Sequence, residues 1–203
     1  MSTVTYWLAS SALDPMANES QELARGLRRR DPELLDRLIE QHRFRLFRYL
    51  QCLTCQRETA EEIFQETWVR VIERGHQYNH KWKFESWLFT IARNLVIDMQ
   101  RRKRPQLIDL LGGGGHEEKT LEIEAKDQPS AYDEVMQREE AERVTTALAT
   151  LPANYREVLT LRFQEDMTLE EIADVVQAPV PTIKSRLYRG LEMMRLQLEG
   201  AQQ

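Results

Sequence analysis

Three clusters of residues in this sequence have binding chemistry to offer. Between Gly75 and Glu85, the rings of His76, Tyr78, His80, Trp82 and Phe84 alternate with Asn79 and the cations Lys81 and Lys83. Rings stack on extruded bases and lysines follow phosphates, so this loop suits a single nucleic-acid strand; a local hydrophobic cluster has the same composition. Near the C-terminus, Thr182, Lys184, Ser185, Arg186, Tyr188 and Arg189 fall on the outer flanks of a helical stretch. Such side chains bond guanine edges, phosphates and thymine methyls, and a solvated helix face is the plainer alternative. The third cluster, Glu62, Gln65, Glu66, Val69 and Arg70, makes a polar stripe with one apolar residue, which is either bare surface or a place for a partner protein to dock. Catalysis finds no support: there is no nucleophile with its base, no pair of carboxylates placed for a pocket and no metal-ligand cluster, so neither enzyme activity nor a cofactor or metal is expected.

Cys52-Leu53-Thr54-Cys55 could be a redox couple or half of a zinc site. Zinc needs further ligands, and His42, His76 and His80 have no ligand-like spacing with it. Two reduced thiols, buried or half-buried, are the favoured reading, with a thiol switch as the alternative. Gly112 to Gly115 is glycine-rich, but no Gly-Lys-Ser/Thr follows, so a phosphate-binding loop is set aside.

These clusters must be held by helices. Leu35, Leu38, Ile39, Leu46, Phe47 and Leu50 recur at helical spacing, and Asp31 before Pro32 marks the start as N-cap and first helical residue. Thr59-Ala60-Glu61-Glu62 predicts a capping box opening a second helix that runs to about Arg74, with Phe64, Trp68, Val71 and Ile72 inward. A loop over Gly75 to Glu85 leads to a third helix from Ser86 to about Lys103. Pro105 to Ser130 loses the period and reads as a flexible acidic linker. Helical spacing returns from Asp133. Thr168-Leu169-Glu170-Glu171 predicts a second capping box, and Gln177-Ala178-Pro179 ends that short helix before another begins near Val180 with Pro181 in its first turn. Two short helices joined by so tight a turn predict a helix-turn-helix, with Ala173 at the close crossing and Ile183, Leu187 and Leu191 facing the core. Gly190 inside the second helix costs about 1 kcal/mol relative to alanine.

The fold class is therefore all-α: two small helical domains, 21–104 and 132–203, joined by the linker 105–131 and preceded by an extension, 1–20. The 203 residues carry a net charge of −5, a poor advertisement for a nucleic-acid binder until it is divided along the chain. Met16 to Arg104 carries +5, the linker −4 and the C-terminal half −5, with Asp14 supplying the remaining −1, and the basic excess ends in the run Arg101, Arg102, Lys103, Arg104. No apolar run approaches the roughly 18 residues that a membrane span requires. The first residues lack the basic and apolar regions of a secretory signal, so no membrane insertion and cytoplasmic residence are expected.

Two stretches carry a family resemblance. Arg57 to Trp68 (RETAEEIFQETW) with Phe84 to Asn94 (FESWLFTIARN) resembles region two of the extracytoplasmic-function (ECF) sigma factors, and Leu151 to Leu159 (LPANYREVL) with Thr168 to Ala173 and Pro179 to Leu187 is similar to their region four. The resemblance implies a transcription initiation factor that binds core RNA polymerase and directs promoter recognition and melting. Glu62, Gln65, Glu66, Val69 and Arg70 would grip the clamp helices of the largest polymerase subunits, with the flap as a second contact. Tyr78, Asn79, His80, Lys81, Lys83 and Phe84 would pocket a flipped base of the minus-ten element, with Arg93 and Asn94 beside it and Arg101 and Arg102 on the backbone. Arg162 would hold a phosphate of the minus-thirty-five element, whose major groove Thr182, Lys184, Ser185, Arg186, Tyr188 and Arg189 would enter. The acidic linker would thread the polymerase near the RNA exit path, and an anti-sigma factor is implied as a regulatory partner. The turn departs from the family's usual glycine, and Pro181 replaces a small residue. A stand-alone helix-turn-helix regulator is the competing reading; it explains the C-terminal half and leaves the stripe and the aromatic loop without a role.

Overall fold

The computed structural model describes residues 15–80, 82–110 and 143–200, and every regular element among them is helical. Helix α1 spans Pro15–Arg29 and α2 spans Pro32–Thr54. Asp31 starts α2 as expected: its carboxylate accepts from the backbone N–H groups of Glu33 (3.1 Å) and Leu34 (3.4 Å), and Pro32 follows in the first turn, where its missing N–H costs nothing. Cys55, in the left-handed conformation (φ 53°), closes α2 by donating its N–H to the Gln51 carbonyl.

Helix α3, Arg57–Arg74, starts two residues before the predicted capping box, and Thr59 is not its cap. The N-cap is Gln56, with no side-chain cap bond, while Thr59 is buried and donates its hydroxyl to Gln56 Oε1 (3.0 Å). Burial of Thr59 and Ala60 against the core decides the start here, so a local capping signature gave way to packing. The predicted loop begins as a short 3₁₀ turn, Gly75–Gln77. A Cβ on Gly75 would lie 2.8 Å from the Leu27 carbonyl oxygen, so α1 can approach only a residue with no side chain.

Helix α4 spans Phe84–Leu110, longer than predicted at both ends. Phe84 is buried and drives the early start. At the other end the helix continues past the predicted end near Lys103 to Leu110, into the segment expected to be linker. The rest of the linker and the N-terminal extension to residue 14 lie outside the described residues, as does Lys81.

Residues 143–150 belong to α5, followed by α6 (Ala153–Phe163), α7 (Leu169–Val176) and α8 (Val180–Gly200). The capping box of α7 forms as predicted: the Glu171 N–H donates to Thr168 Oγ1 (3.2 Å) and the Thr168 N–H donates to Glu171 Oε2 (2.8 Å). Gln177 takes the left-handed conformation (φ 53°) in place of glycine and ends α7. On α8, Ile183 is fully buried and Leu187 partly so, but Leu191 is 40% exposed. The inward stripe passes through Gly190 instead, where a Cβ would meet Leu159 at 3.1 Å and Tyr155 at 3.4 Å. The glycine that looked costly in a helix interior lets α8 lie close to α6.

Each half has its own interior. Leu27, Leu46, Tyr49, Leu50, Leu88 and Phe89 fill the first, and Val158, Leu161, Ile172, Val175 and Ile183 the second. Each such side chain contributes about 1.5–3 kcal/mol by leaving water. The halves then pack on each other, α2 against α6 and α4 against α7, and the buried residues join into one cluster.

Candidate nucleic-acid interface and docking ridge

The aromatic loop is built inward before it offers anything outward. Tyr78 is buried and its hydroxyl donates to the Trp82 carbonyl (2.7 Å), which pins the loop back on itself. Burial, with help from the Glu85 charge, pushes the Tyr78 phenol up to about 12, so it remains a neutral donor. Phe84 is buried too, with the rings of Tyr78, Trp87 and His42 at 5.9, 5.9 and 5.4 Å. Both were expected to touch a base. Tyr78 does line a hollow of ≈ 280 Å³ with Trp82, Ser86, Trp87 and Thr90, whereas Phe84 supports it from behind. Trp82 stands at its edge, 52% exposed. Asn79 and His80 are exposed beside it; Lys81 lies outside the described residues.

Two of the expected cations, Lys83 and Arg93, are already engaged. Lys83 Nζ meets Glu171 Oε1 of α7 at 2.8 Å, and that hydrogen bond and charge raise the ammonium's pKa. Burial alone would push Glu171 up; the hydrogen bonds from Lys83 and Thr168 outweigh it and hold the carboxyl below its ordinary value. Arg93 Nε donates to Glu157 Oε1 of α6 at 2.7 Å, with little of either side chain in solvent. Asn94, Arg101 and Arg102 are exposed along α4.

The stripe on α3 stands clear as a ridge. Glu62, Gln65 and Val69 are exposed, and Arg70 pairs locally with Glu66 (2.8 Å) and Glu73 (3.0 Å), while Trp68 and Val71 point inward. Exposed i,i+4 pairs of this kind contribute little stability and leave the charges available. On α8, Lys184, Ser185, Tyr188 and Arg189 are exposed, Tyr188 at 71%, and Thr182 and Arg186 are half-buried. Arg162 is exposed, but its guanidinium donates to the Met167 carbonyl (3.0 Å) and braces the turn before α7.

Sequence reasoning missed the polar seam between the halves. Glu165, whose side chain is fully buried, accepts from Arg45 Nε (2.7 Å) and Arg48 Nη2 (3.0 Å) of α2. Glu157 accepts a further bond from the Tyr49 hydroxyl (3.0 Å), and Cys52 Sγ lies 3.1 Å from Thr160 Oγ1. Burial pushes the Cys52 thiol up to about 11, so it is not a thiolate at neutral pH. Cys55 is half-buried and both thiols are free. The available signal was Glu157, four residues from Leu161 on the inward face of α6, since a buried carboxylate implies a partner.

The sequence matches two family models, Sigma-70 region 2 over residues 38–106 and Sigma-70, region 4 over residues 141–194. It is 33% identical over 140 residues to the ECF RNA polymerase sigma factor SigW of Bacillus subtilis, covering 68% of this chain and 75% of that protein. This chain belongs to the ECF sigma factors. Another relative, the ECF sigma factor RpoE of Cereibacter sphaeroides, is 35% identical over 138 residues, covering 67% of this chain and 70% of its own. Among solved structures, the sigma factor RpoE of Bartonella quintana, determined with the anti-sigma factor NepR, superposes with a TM-score of 0.67 at 21% identity over 81% of this chain and 96% of that one, a likeness of fold. A sigma factor is a promoter-recognition subunit of RNA polymerase, not an enzyme in its own right. The stand-alone regulator reading loses its ground, because the N-terminal match is to a polymerase-binding family. Among the described residues no helix is long and apolar enough to cross a membrane, and no group of His, Cys, Asp and Glu could hold a metal.

Proposed function

We propose that this sigma factor divides its work among three surfaces within domains 21–104 and 132–203. The α3 ridge, Glu62, Gln65, Glu66, Val69 and Arg70, docks on the polymerase clamp. The hollow behind Tyr78 and Trp82 takes one unstacked base of the minus-ten non-template strand, with Asn79, His80, Lys83, Arg93, Asn94, Arg101 and Arg102 along its backbone. The outer face of α8 reads the minus-thirty-five duplex through Lys184, Ser185, Tyr188 and Arg189, flanked by Thr182 and Arg186. Arg162 serves the same duplex at a phosphate.

One observation carries this reading: a helix-turn-helix with an open polar face and an aromatic hollow next to cations occur in one chain with an exposed polar ridge. A duplex-only regulator needs just the first of them. An anti-sigma protein covering the ridge is the proposed negative partner, in keeping with the complex formed by the Bartonella quintana neighbour.

The test is run-off transcription from a genomic promoter library with core polymerase and this chain. Transcripts that appear only when the chain is added, and that vanish when Glu62, Gln65 and Val69 are replaced together by alanine, are the expected result. A folded chain that associates with core polymerase yet opens no promoter in the library would refute it.

A further inference from the structure

The hollow behind the aromatic loop is a composite. Tyr78, Trp82 and Trp87 supply its rings and Ser86 and Thr90 two hydroxyl groups, all from the N-terminal domain, while Asp174 of α7 adds a carboxylate from the other. The Tyr78 and Trp87 rings lie 5.3 Å apart, centroid to centroid, and are tilted by 51°, so they make a corner and not a stack. The bond from the Tyr78 hydroxyl to the Trp82 carbonyl ties the third ring to that corner. Trp82, half in solvent, leaves one side open. At ≈ 280 Å³ the space stands at the lower edge of the range for small-molecule sites, enough for a compact head group whose tail runs out to water.

The charges around this corner do not cancel. Among the described residues, Lys83 is neutralised by Glu171, whereas the carboxylates of Asp174, one turn further along α7, and of Glu85 make no ion pair. The Glu85 charge reaches both Tyr78 and Lys83. Each wall therefore favours the same guest. Ring faces are the negative part of an aromatic side chain and attract a cation within about 6 Å of the centroid. A carboxylate attracts it directly, and the hydroxyl oxygens of Ser86 and Thr90 can accept from its N–H groups. A phosphate meets repulsion at the same wall, and an uncharged guest leaves Asp174 unanswered.

We infer that this hollow is a binding site for a small organic ammonium ion, caged by Tyr78, Trp82 and Trp87 and paired with Asp174. The site goes beyond the assignment of the same rings to an unstacked base and does not rest on it. A base needs the rings alone; an ammonium ion needs the rings together with a carboxylate from the second domain. Because the rings are shared, the two guests exclude each other. With one side open and the carboxylate hydrated, the affinity is modest, with a dissociation constant of roughly 1 mM.

The test uses the full chain, choline as the probe and, as control, the uncharged isostere of choline in which a quaternary carbon replaces the nitrogen. Both are added at constant ionic strength, and the indole N–H signals of Trp82 and Trp87 are followed by NMR in isotope-labelled protein. Choline should shift both signals saturably, and the isostere should bind at least tenfold more weakly, since the two differ only in charge. Asp174→Asn keeps the size of an exposed side chain; it should weaken choline about fivefold and leave the isostere unchanged. Shifts that never saturate, equal binding of choline and its isostere, or a folded Asp174→Asn variant that binds choline as the parent does would each overturn the site. Should that variant not fold, the comparison of choline with its isostere on the unaltered chain decides. Loss of the ammonium site leaves run-off transcription intact, whereas failure of the proposed function abolishes transcription and leaves choline binding untouched.

Discussion

The two domains solve the problem of a small interior differently. The N-terminal one stacks rings: Phe89 against Tyr49 at 4.9 Å, Phe64 against Trp68 at 6.4 Å, and Tyr78, Phe84 and Trp87 around one another. Among the described residues the buried core of the C-terminal one is aliphatic apart from Met167; Phe163 and Tyr188 face solvent and Tyr155 is half-buried against α8. The buried polar groups differ too. Thr59 and Thr67 find partners within the N-terminal domain, at Gln56 and Ile63, whereas Glu157 and Glu165 of the C-terminal domain draw theirs from α2 and α4. The dependence is mutual at the seam, where the Tyr49 hydroxyl and the Cys52 thiol of the N-terminal domain meet Glu157 and Thr160, but the buried carboxylates all come from the C-terminal domain.

The sharpest way to break that contrast is to cut into each interior. Phe89→Ala should cost about 3–5 kcal/mol and Ile183→Ala about 2–5 kcal/mol, with the first the larger; urea titrations showing the reverse would deny the aromatic core its leading part. Next come the two buried glycines. Gly75→Ala should cost about 1–3 kcal/mol, since the Leu27 carbonyl it meets is backbone and cannot swing aside. Gly190→Ala meets the mobile end of Leu159 and gains about 1 kcal/mol of helix propensity, so thermal melts should find it close to neutral. A smaller effect is expected at the α7 cap, where Thr168→Ala removes half of a capping box and should cost about 1 kcal/mol by denaturant midpoint.

The smallest is a pH effect confined to the N-terminal domain. Burial, opposed by Glu85 and assisted by Arg45, lowers the His42 pKa below its ordinary 6.5. The unfolded chain therefore takes up the proton first, and the stability due to neutral His42 is present above pH 6.5 and lost as pH falls towards the lowered value. A His42→Phe variant should lose less stability on that descent; equal slopes in urea midpoint against pH would show that other groups govern it.

Legibility in the sequence followed the range of the interactions. Asp31 with Pro32 and Thr168 with Glu171 are local signals complete within four residues, and both elements start where those residues indicate. Thr59 with Glu62 is as good a signal on paper, yet Thr59 faces the core and a nonlocal preference prevailed. Leu191 misled for a related reason: four-residue spacing marks one face, but a straight helix drifts, and the crossing with α6 selects Gly190. The exposure of the α3 and α8 stripes was visible because outward residues need only a period. The seam was not, because Arg45 and Glu165 lie 120 residues apart and no periodicity links them.

Trp82 gives the hollow an optical handle. Trp68 and Trp87 are buried or half-buried, while the Trp82 indole is 52% in solvent and shares its hollow with the Asp174 carboxylate. Emission from that ring should change in colour and in iodide quenching when the hollow is filled. A ligand that enters the hollow can then be followed without a label, once a Trp82→Phe variant has shown which part of the emission is due to that ring.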